Sequence, residues 1–147
     1  MERSDLDGVM PIENASFPTP WPRNVFEEEI DRAFSDARVA VPPEGGEVLG
    51  YSVCWIVLDE SHLLNIAVRP DVRGSGVGSA LLRDCIRRGA MAGAGLIHLE
   101  VRAGNQAALR MYEKDGFAFQ GIRRRYYTDT GEDAILLSRE LKESDGS

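Results

Sequence analysis

The segment from Asn65 to Leu82, NIAVRPDVRGSGVGSALL, constrains the fold of this chain more than any other. An apolar run typical of a buried strand ends at Val68, and a helical pattern begins near Val77. Between them, glycine recurs at every second position, at Gly74, Gly76 and Gly78. Glycines let backbone N–H groups converge, and a helix N-terminus adds a positive dipole end. The segment therefore predicts a strand, a loop that binds a phosphate or pyrophosphate, and a helix.

Two well-known nucleotide-binding loops are poor matches to the glycine-rich loop. This loop lacks the Lys-Ser/Thr pair that ends the phosphate-binding loop of nucleoside-triphosphate-binding proteins. A dinucleotide-binding Rossmann turn reads G-x-G-x-x-G near the start of a βαβ unit, whereas this loop reads G-x-G-x-G in mid-chain. On this segment alone, a flexible helix start without any ligand remains the alternative.

Length and composition predict one α/β domain. The chain has 147 residues, of which 43% are hydrophobic and 28% charged, and we expect the domain to span residues 1–141 with a disordered tail at 142–147. No apolar run approaches the roughly 20 residues that cross a bilayer, and the N-terminus lacks the apolar core of a signal peptide. Cys54 and Cys85 fall in apolar patterns without a nearby partner, which predicts buried free thiols. We therefore expect a cytoplasmic protein without a metal or a membrane partner.

The net charge of −7 is unevenly distributed along the chain. Residues 1–50 contain 11 Asp and Glu but only four Arg, whereas the remainder contains 13 acidic and 13 basic residues. This distribution argues against direct binding of nucleic acid. It suits a cationic peptide or amine, although a solvated acidic helix face explains the cluster at residues 27–31 equally well.

The hydrophobic pattern predicts the order α-α-β-β-β-α-β-α-β-β, a mixed sheet with helices packed on it. The first helix runs from Ser4 or Asp5 to about Ser16 and is kinked or shortened by Pro11. A turn at residues 17–22 presents Trp21 as an aromatic anchor. The other predicted elements are a helix at 24–34, a helix after the glycine loop, a helix at 105–115, and strands at 37–41, 48–58, 63–68, 96–101, 117–127 and 134–141.

The strand LIHLEV alternates between apolar side chains on one face and His98, Glu100 and Arg102 on the other. A carboxylate within an apolar strand costs several kcal/mol unless it is paired or faces water. Glu100 therefore indicates either a cleft or a structural ion pair, with Arg102 or Arg69 as its partner. His98 is typical of a histidine at the rim of a face, and His62 falls in a predicted turn without a role.

Several motifs resemble the GCN5-related N-acetyltransferase (GNAT) superfamily. The loop RGSGVG, after a strand ending NIAV, resembles the acyl-CoA-binding loop of that family. The segment from Asn105 to Phe117 is similar to its N-x-x-A-x-x-x-Y-x-x-x-G-F signature, in which the tyrosine is Tyr112. Pro20-Trp21, LDESHLLNIAV, HLEVRAGN and RRRYYTDTGEDAILL are most similar to the branch that acetylates the N-terminal alanine of ribosomal protein S18. The resemblance covers about residues 5–141.

The resemblance implies acetyl-CoA as the cosubstrate. Its pyrophosphate would bind the backbone of the glycine loop, and its pantetheine arm would pair with the preceding strand. A backbone N–H near Val68 would stabilise the thioester oxyanion. The implied cofactor-binding residues are Ile66, Ala67, Val68, Arg73, Gly74, Ser75, Gly76, Val77, Gly78, Asn105 and Tyr112.

The resemblance also implies direct transfer in a ternary complex, with Glu100 as the general base through a water and Tyr112 as the acid that protonates the thiolate. A free α-amine has a pKa of about 7.7–8.0, so a modest base suffices. Because a phenol is a weak acid toward a thiolate, we expect Tyr112 to act through positioning as much as through proton transfer. The implied substrate-binding residues are Trp21, Glu100, Tyr126 and Tyr127.

The superfamily fold is a mostly antiparallel sheet that splays at the acyl-CoA site and usually begins with a strand. Only Met1 to Ser4 precede the first helix, so we expect that edge strand to be short or absent. The predicted function is N-terminal acetylation of a protein, ribosomal protein S18, by a monomer. A small-amine acetyltransferase and a non-catalytic acyl-CoA-binding module are the alternatives, and the Glu100–Tyr112 pair disfavours the second.

Overall fold

A six-stranded sheet forms the centre of the protein in a computed structural model that describes residues 1–147. In chain order the strands are β1 (Ser35–Ala40), β2 (Gly50–Val57), β3 (Glu60–Val68), β4 (Leu96–Arg102), β5 (Ala118–Tyr127) and β6 (Glu132–Glu140). Their order in the sheet is β1-β2-β3-β4-β6-β5, and every neighbouring pair is antiparallel except β3 with β4. The predicted mixed, mostly antiparallel sheet is confirmed.

Four helices cover the two faces of the sheet in the predicted order: α1 (Leu6–Ser16), α2 (Arg23–Asp31), α3 (Val77–Met91) and α4 (Gln106–Lys114). Pro11 lies inside α1 without ending it, because the carbonyl that loses its partner belongs to the solvent-exposed Asp7. Helix α2 ends three residues before the predicted Phe34, whose ring packs edge-on against Trp55 at 5.2 Å. No helix is long and apolar enough to cross a membrane.

The two ends of the chain form short 3-10 turns. No strand precedes α1; residues 3–5 form a turn instead, as the sequence predicts. Residues 142–147 are expected to be disordered, whereas the structure forms a turn at Glu143–Gly146 that packs against α3. The Asp145 carboxylate accepts a hydrogen bond from Arg139 at 3.1 Å.

Two hydrophobic cores hold the layers together. Leu6, Val9 and Phe26 of α1 and α2 pack on one face of the sheet around Tyr51. The opposite core combines α3 and α4 with Leu63, Leu82, Ile97, Leu99 and Tyr112. Cys54 and Cys85 are buried free thiols in this second core, as predicted.

The sheet opens between β3 and β4 because β3 contains one extra residue. The β2–β3 ladder pairs Leu63 and Asn65 with consecutive residues of β2, so Leu64 has no partner and forms a β-bulge. A bulge bends its strand and increases the local twist. The parallel β3–β4 pairing ends one residue earlier, at Leu63 and Leu99, and beyond it the two strands diverge. The gap between them positions the site.

Candidate active site

A cleft of about 1130 Å³ occupies the gap between β3 and β4. Its walls come from α1, the α1–α2 turn, β3, the glycine loop, β4, α4 and the end of β5. The cleft joins the glycine loop to Glu100, Tyr112 and Tyr127, which are far apart in the sequence. Most of the predicted site residues therefore lie along one continuous surface.

The backbone of β3 forms one wall of the cleft with polar groups that no neighbouring strand pairs. Arg69 donates its N–H to the Leu49 carbonyl at 2.8 Å, which sets the alternation of the β2–β3 ladder. In an antiparallel ladder, every second residue bonds to its neighbour and the residues between point away. Ala67 therefore bonds toward β2, whereas Ile66 and Val68 direct their N–H and C=O groups into the gap. An extended ligand could pair with this free edge as an added strand.

The glycine loop has the backbone conformation that its sequence predicts. Gly74 and Gly76 have φ angles of +83° and +95°, and no atom lies within 4 Å of where a Cβ would be. Gly76 is the N-cap of α3, so the positive end of the helix dipole faces this open space. A Cβ on Gly78 would lie 3.3 Å from the Met111 sulfur, so glycine permits α3 and α4 to approach closely.

Side chains of the loop contribute less to the cleft than its backbone does. The Ser75 hydroxyl donates to the Val72 carbonyl within the loop, and Val77 packs toward Gly50. Arg73 is the exception, because its guanidinium donates to the Val68 carbonyl at 3.1 Å and to the Ser16 hydroxyl at 3.0 Å. Arg73 thus links the glycine loop to the open edge of β3 and to α1.

Asn105 lies at the rim of the cleft as the N-cap of α4. Its side-chain oxygen accepts the Ala108 N–H at 3.1 Å, which confirms the capping role. Its amide nitrogen forms no hydrogen bond within the chain and remains free for a ligand in the cleft.

Tyr112 is buried on the α4 side of the cleft, with 5% of its surface exposed. Its ring packs against Phe117 at 5.6 Å, and its hydroxyl forms no hydrogen bond within the chain. Burial raises the pKa of Tyr112, so the phenol stays protonated and can donate a hydrogen bond at neutral pH.

Glu100 stands where β3 and β4 separate. The predicted partners Arg102 and Arg69 are wrong, because the Glu100 carboxylate bonds the Nε2 atom of His62 at 2.7 Å. The hydrogen bond from His62 lowers the pKa of Glu100 more than burial raises it, so the carboxylate is ionised at neutral pH. The prediction that His62 lies in a turn is also wrong: it belongs to β3, and its ring stacks on His98 at 4.3 Å.

The two arginines that were predicted to pair with Glu100 bond to other acidic residues. Arg69 pairs with Asp71 and Glu47 on the surface. Arg102 makes two hydrogen bonds to Asp129, at 3.1 and 2.9 Å, and these lower the pKa of Asp129 to about 2.

Aromatic residues and the Arg102–Asp129 pair bound the cleft beyond Glu100. Tyr127 lies under the Arg102 guanidinium at 4.0 Å, and burial raises its pKa to about 12. Thr19 donates to Asp129 at 2.8 Å and so connects the α1–α2 turn with the β5–β6 loop. Trp21 lines the cleft and packs on Phe26 at 5.2 Å.

Tyr126 is not brought into the cleft. A register shift in β5 between Arg123 and Tyr127, with a φ of +50° at Arg125, directs its side chain outward, where it is 45% exposed. Its ring contacts Tyr127 edge-on at 5.2 Å.

Sequence reasoning missed Glu13, a carboxylate that is 1% exposed and lines the cleft. It accepts hydrogen bonds from the Tyr51 hydroxyl at 2.5 Å, the Asn65 amide at 2.8 Å and the Trp21 backbone N–H at 2.9 Å. The sequence held a signal, because Glu13 follows Val9 by four residues and therefore lies on the apolar face of α1.

The acidic cluster of α2 is largely engaged within the N-terminal region. Glu29 accepts from the Trp55 indole at 2.8 Å and pairs with Arg32 at 3.4 Å. Asp31 pairs with Arg3 at 2.6 Å. These contacts favour the interpretation of a structural helix face over that of a free docking surface.

A free strand edge leads from a glycine-lined helix N-terminus to a carboxylate and a buried tyrosine, an arrangement that suits an acyl-group transferase. The chain matches the acetyltransferase (GNAT) family over residues 6–117 and belongs to that family. A Bacillus subtilis (strain 168) protein, provisionally named ribosomal protein bS18-alanine N-acetyltransferase, is 37% identical over 93% of this chain and 90% of its own length. The Escherichia coli (strain K12) ribosomal protein bS18-alanine N-acetyltransferase is 36% identical over 94% of this chain and 93% of its own length.

A solved structure agrees with the sequence relatives. The crystal structure of the ribosomal-protein-S18-alanine N-acetyltransferase from Escherichia coli superposes with a TM-score of 0.87 at 35% identity. The match covers 97% of this chain and 91% of that structure. The fold described above is therefore shared with a named N-acetyltransferase.

Proposed function

We propose that this protein transfers an acetyl group from acetyl-CoA to the N-terminal α-amine of a protein, and that the acceptor is the N-terminal alanine of ribosomal protein bS18. The observation that carries the proposal is the free edge of β3 at Ile66 and Val68, which runs from the glycine loop to Glu100. A ribosomal acceptor would place the protein in the cytoplasm, as the sequence predicts.

The residues of the glycine loop and of β3 fit the donor; together with Asn105 and Tyr112 we call them the donor side. Gly74 and Gly76 leave backbone space at the start of α3, where a pyrophosphate would be favoured by the helix dipole. The N–H and C=O groups of Ile66 and the N–H of Val68 are free and would pair with the amides of the pantetheine arm, whereas the Val68 carbonyl is bonded by Arg73. A free N–H of this edge would also stabilise the negative oxygen that develops as the thioester is attacked.

Glu100 and Tyr112 supply the proton transfers. The ionised Glu100 accepts a proton from the acceptor ammonium, directly or through a water, and the amine nitrogen then attacks the thioester carbon. As the new C–N bond forms and the C–S bond breaks, Tyr112 donates its hydroxyl proton to the leaving sulfur. The tyrosine regains a proton from the nitrogen or from water, and one proton per turnover leaves for solvent.

The opposite half of the cleft would hold the acceptor; we call Glu13, Trp21, Glu100, Arg102 and Tyr127 the acceptor side. The walls at Trp21 and Tyr127 are joined through Thr19 and Asp129, so the cleft admits a narrow, extended chain. The names of the Bacillus subtilis and Escherichia coli relatives supply the alanine and bS18 parts of the proposal.

A peptide panel tests the proposed function. Purified protein is incubated with acetyl-CoA and peptides that begin with Ala, Ser or Met, including the N-terminal sequence of bS18, and the mass shift is measured. We expect a single acetyl group on the α-amine of the bS18 peptide, whereas a peptide blocked at its N-terminus but containing lysine should remain unmodified. Transfer only to free amino acids or polyamines would favour a small-amine acetyltransferase. Thermal stabilisation by CoA without any transfer would favour a non-catalytic acyl-CoA-binding module.

A further inference from the structure

His62 and Glu100 form a side-chain pair that lies across the last contact between β3 and β4. His62 is the direct partner of His98 in the parallel ladder, and Glu100 lies two residues further along β4. Diagonal neighbours on one face of a sheet are within reach of long side chains. The pair therefore forms where the sheet begins to open.

The hydrogen bond leaves the two Glu100 oxygens in different surroundings. Oε2 bonds His62 Nε2 at 2.7 Å, whereas Oε1 forms no hydrogen bond within the chain. Glu100 lines the cleft, but His62 lies behind it and does not. One oxygen is therefore held from behind while the other remains available in the cleft.

The His62 ring is itself held in place. It stacks on His98 with a centroid distance of 4.3 Å and an interplanar angle of 16°. His98 in turn lies 3.9 Å from the Glu60 carboxylate, and neither histidine side chain is more than about a third exposed. A packed ring presents its N–H in one direction, so it restricts the carboxylate more than a mobile surface side chain would.

We infer that His62 is a positioning residue for the transfer reaction, which holds the Glu100 carboxylate by Oε2 so that Oε1 faces the acceptor amine. This inference rests on the proposed function only for the role of Glu100; the His62–Glu100 bond itself is present in the structure. A carboxylate without such a bond would rotate among several orientations, and only some of them would face the amine.

Metal binding is the competing role for the three side chains, because the ligand atoms of His62, His98 and Glu100 all lie within 4.8 Å of one another. A zinc ion needs each imidazole nitrogen at about 2.0–2.1 Å, with the ion near the plane of each ring. Two rings that are nearly parallel and stacked cannot both direct a lone pair at one ion. The observed arrangement therefore favours the hydrogen-bonded pair.

Two amide substitutions separate the hydrogen bond from other effects of changing His62. In His62→Gln, the side-chain N–H can reach the position of Nε2, whereas in His62→Asn it falls short by one methylene group. We expect His62→Asn to lower kcat about tenfold and His62→Gln to lower it less than about threefold. The Kd for CoA should stay within twofold in both variants. His62→Leu gives a second variant without the bond if His62→Asn does not fold, and CoA binding with thermal unfolding checks the fold of each.

A double-mutant cycle with Glu100→Gln tests whether His62 acts through Glu100. If it does, His62→Asn should have little further effect on kcat in the Glu100→Gln background. An equal loss in both backgrounds, or no loss in the single variant, would overturn the inference. Treatment with EDTA should leave the wild-type kcat unchanged, whereas loss of activity on chelation would identify a metal site and would also overturn it.

A measurement without turnover keeps this inference distinct from the proposed function. The Glu100 carboxyl carbon is followed by NMR during a pH titration of the wild type and of His62→Asn. The other ionisable groups that act on Glu100 are His98 and Arg123, and Tyr127 lies nearby; all three are present in both proteins. Loss of the His62 bond should raise the pKa of Glu100, and an unchanged pKa would overturn the inference. Absence of acetyl transfer by a wild type with the normal Glu100 titration would instead reject the proposed function.

Discussion

The donor side and the acceptor side of the cleft are built in different ways. The donor side uses mainly backbone groups of one continuous segment, from Ile66 to Gly78. The acceptor side depends on side chains that distant segments bring together, such as Glu13 with Asn65 and Arg102 with Asp129. Backbone geometry tolerates most side-chain changes, whereas a side-chain network loses a contact with each substitution. The two sides should therefore respond differently to mutation.

The largest effect is expected at Glu100, the acceptor-side residue closest to the chemistry. Glu100→Gln removes the ionised carboxylate but keeps its size, and we expect kcat to fall about 100-fold because a general base typically contributes that much or more. The Kd for CoA, measured by calorimetry, should not change, since the donor side remains intact. A variant with normal kcat would exclude Glu100 as the base.

The next largest effect is expected at Gly76, where a substitution tests whether CoA binding on the donor side depends on the backbone conformation of the loop. Gly76→Val places a branched side chain at a φ of +95°, where non-glycine residues are strained by roughly 1–2 kcal/mol. We expect the Kd for CoA to rise about tenfold as the loop shifts to relieve this strain.

Ser75→Ala is the matched control in the same loop, because it removes only the hydroxyl bond to Val72 and leaves the backbone unchanged. Its Kd for CoA should change less than about twofold. Similar losses in Gly76→Val and Ser75→Ala would mean that side chains, and not backbone shape, form the donor side.

Much of the donor side could be predicted from the sequence because its residues are neighbours in the chain. The strand, the glycines and the helix start are all local features. Alternation within β4 likewise identified the face that carries Glu100. The partner of Glu100 could not be predicted, because alternation within β4 does not specify how that strand aligns with β3. That register depends on how α3 returns the chain to the sheet, which places His62 opposite His98.

Glu13 was missed for a related reason. Its place on the apolar face of α1 indicates burial, but its three donors come from β2, β3 and the α1–α2 turn. No single segment contains that network. The same limit applies to Tyr126, since a register shift in β5 separates it from the neighbouring Tyr127.

A smaller effect is expected at Glu13, which holds the Trp21 backbone from inside the core. Glu13→Gln introduces an amide donor among three donors, so one hydrogen bond must be lost. We expect the KM for the peptide to rise about fivefold, because Glu13 acts through Trp21 and only part of the roughly 1.5 kcal/mol of a hydrogen bond to a charged group is lost from peptide binding. The KM for acetyl-CoA should not change.

Tyr51→Phe serves as the control for Glu13, because it removes one donor but keeps the bond between Glu13 and the Trp21 N–H. Its effect on the peptide KM should be smaller than that of Glu13→Gln. Equal effects would show that the whole network, and not the link to Trp21, determines acceptor binding.

The smallest effect is expected at Thr19, whose bond to Asp129 joins the two walls of the acceptor side. Thr19→Val keeps the shape of the side chain and removes one exposed hydrogen bond, so the peptide KM should rise only about twofold. Acetyl transfer to a small amine that does not span both walls should be unaffected. An equal effect on peptide and small amine would contradict the proposed boundary of the acceptor cleft.

The unpaired residue Leu64 has a consequence for the rate of donor binding. Because the additional residue is part of the covalent chain, the gap beside β3 exists before any ligand arrives. Binding then requires no prior opening step, and the observed association rate in stopped-flow experiments should increase linearly with CoA concentration without reaching a plateau. One extra residue in β3 thus makes a conformational opening of the sheet unnecessary.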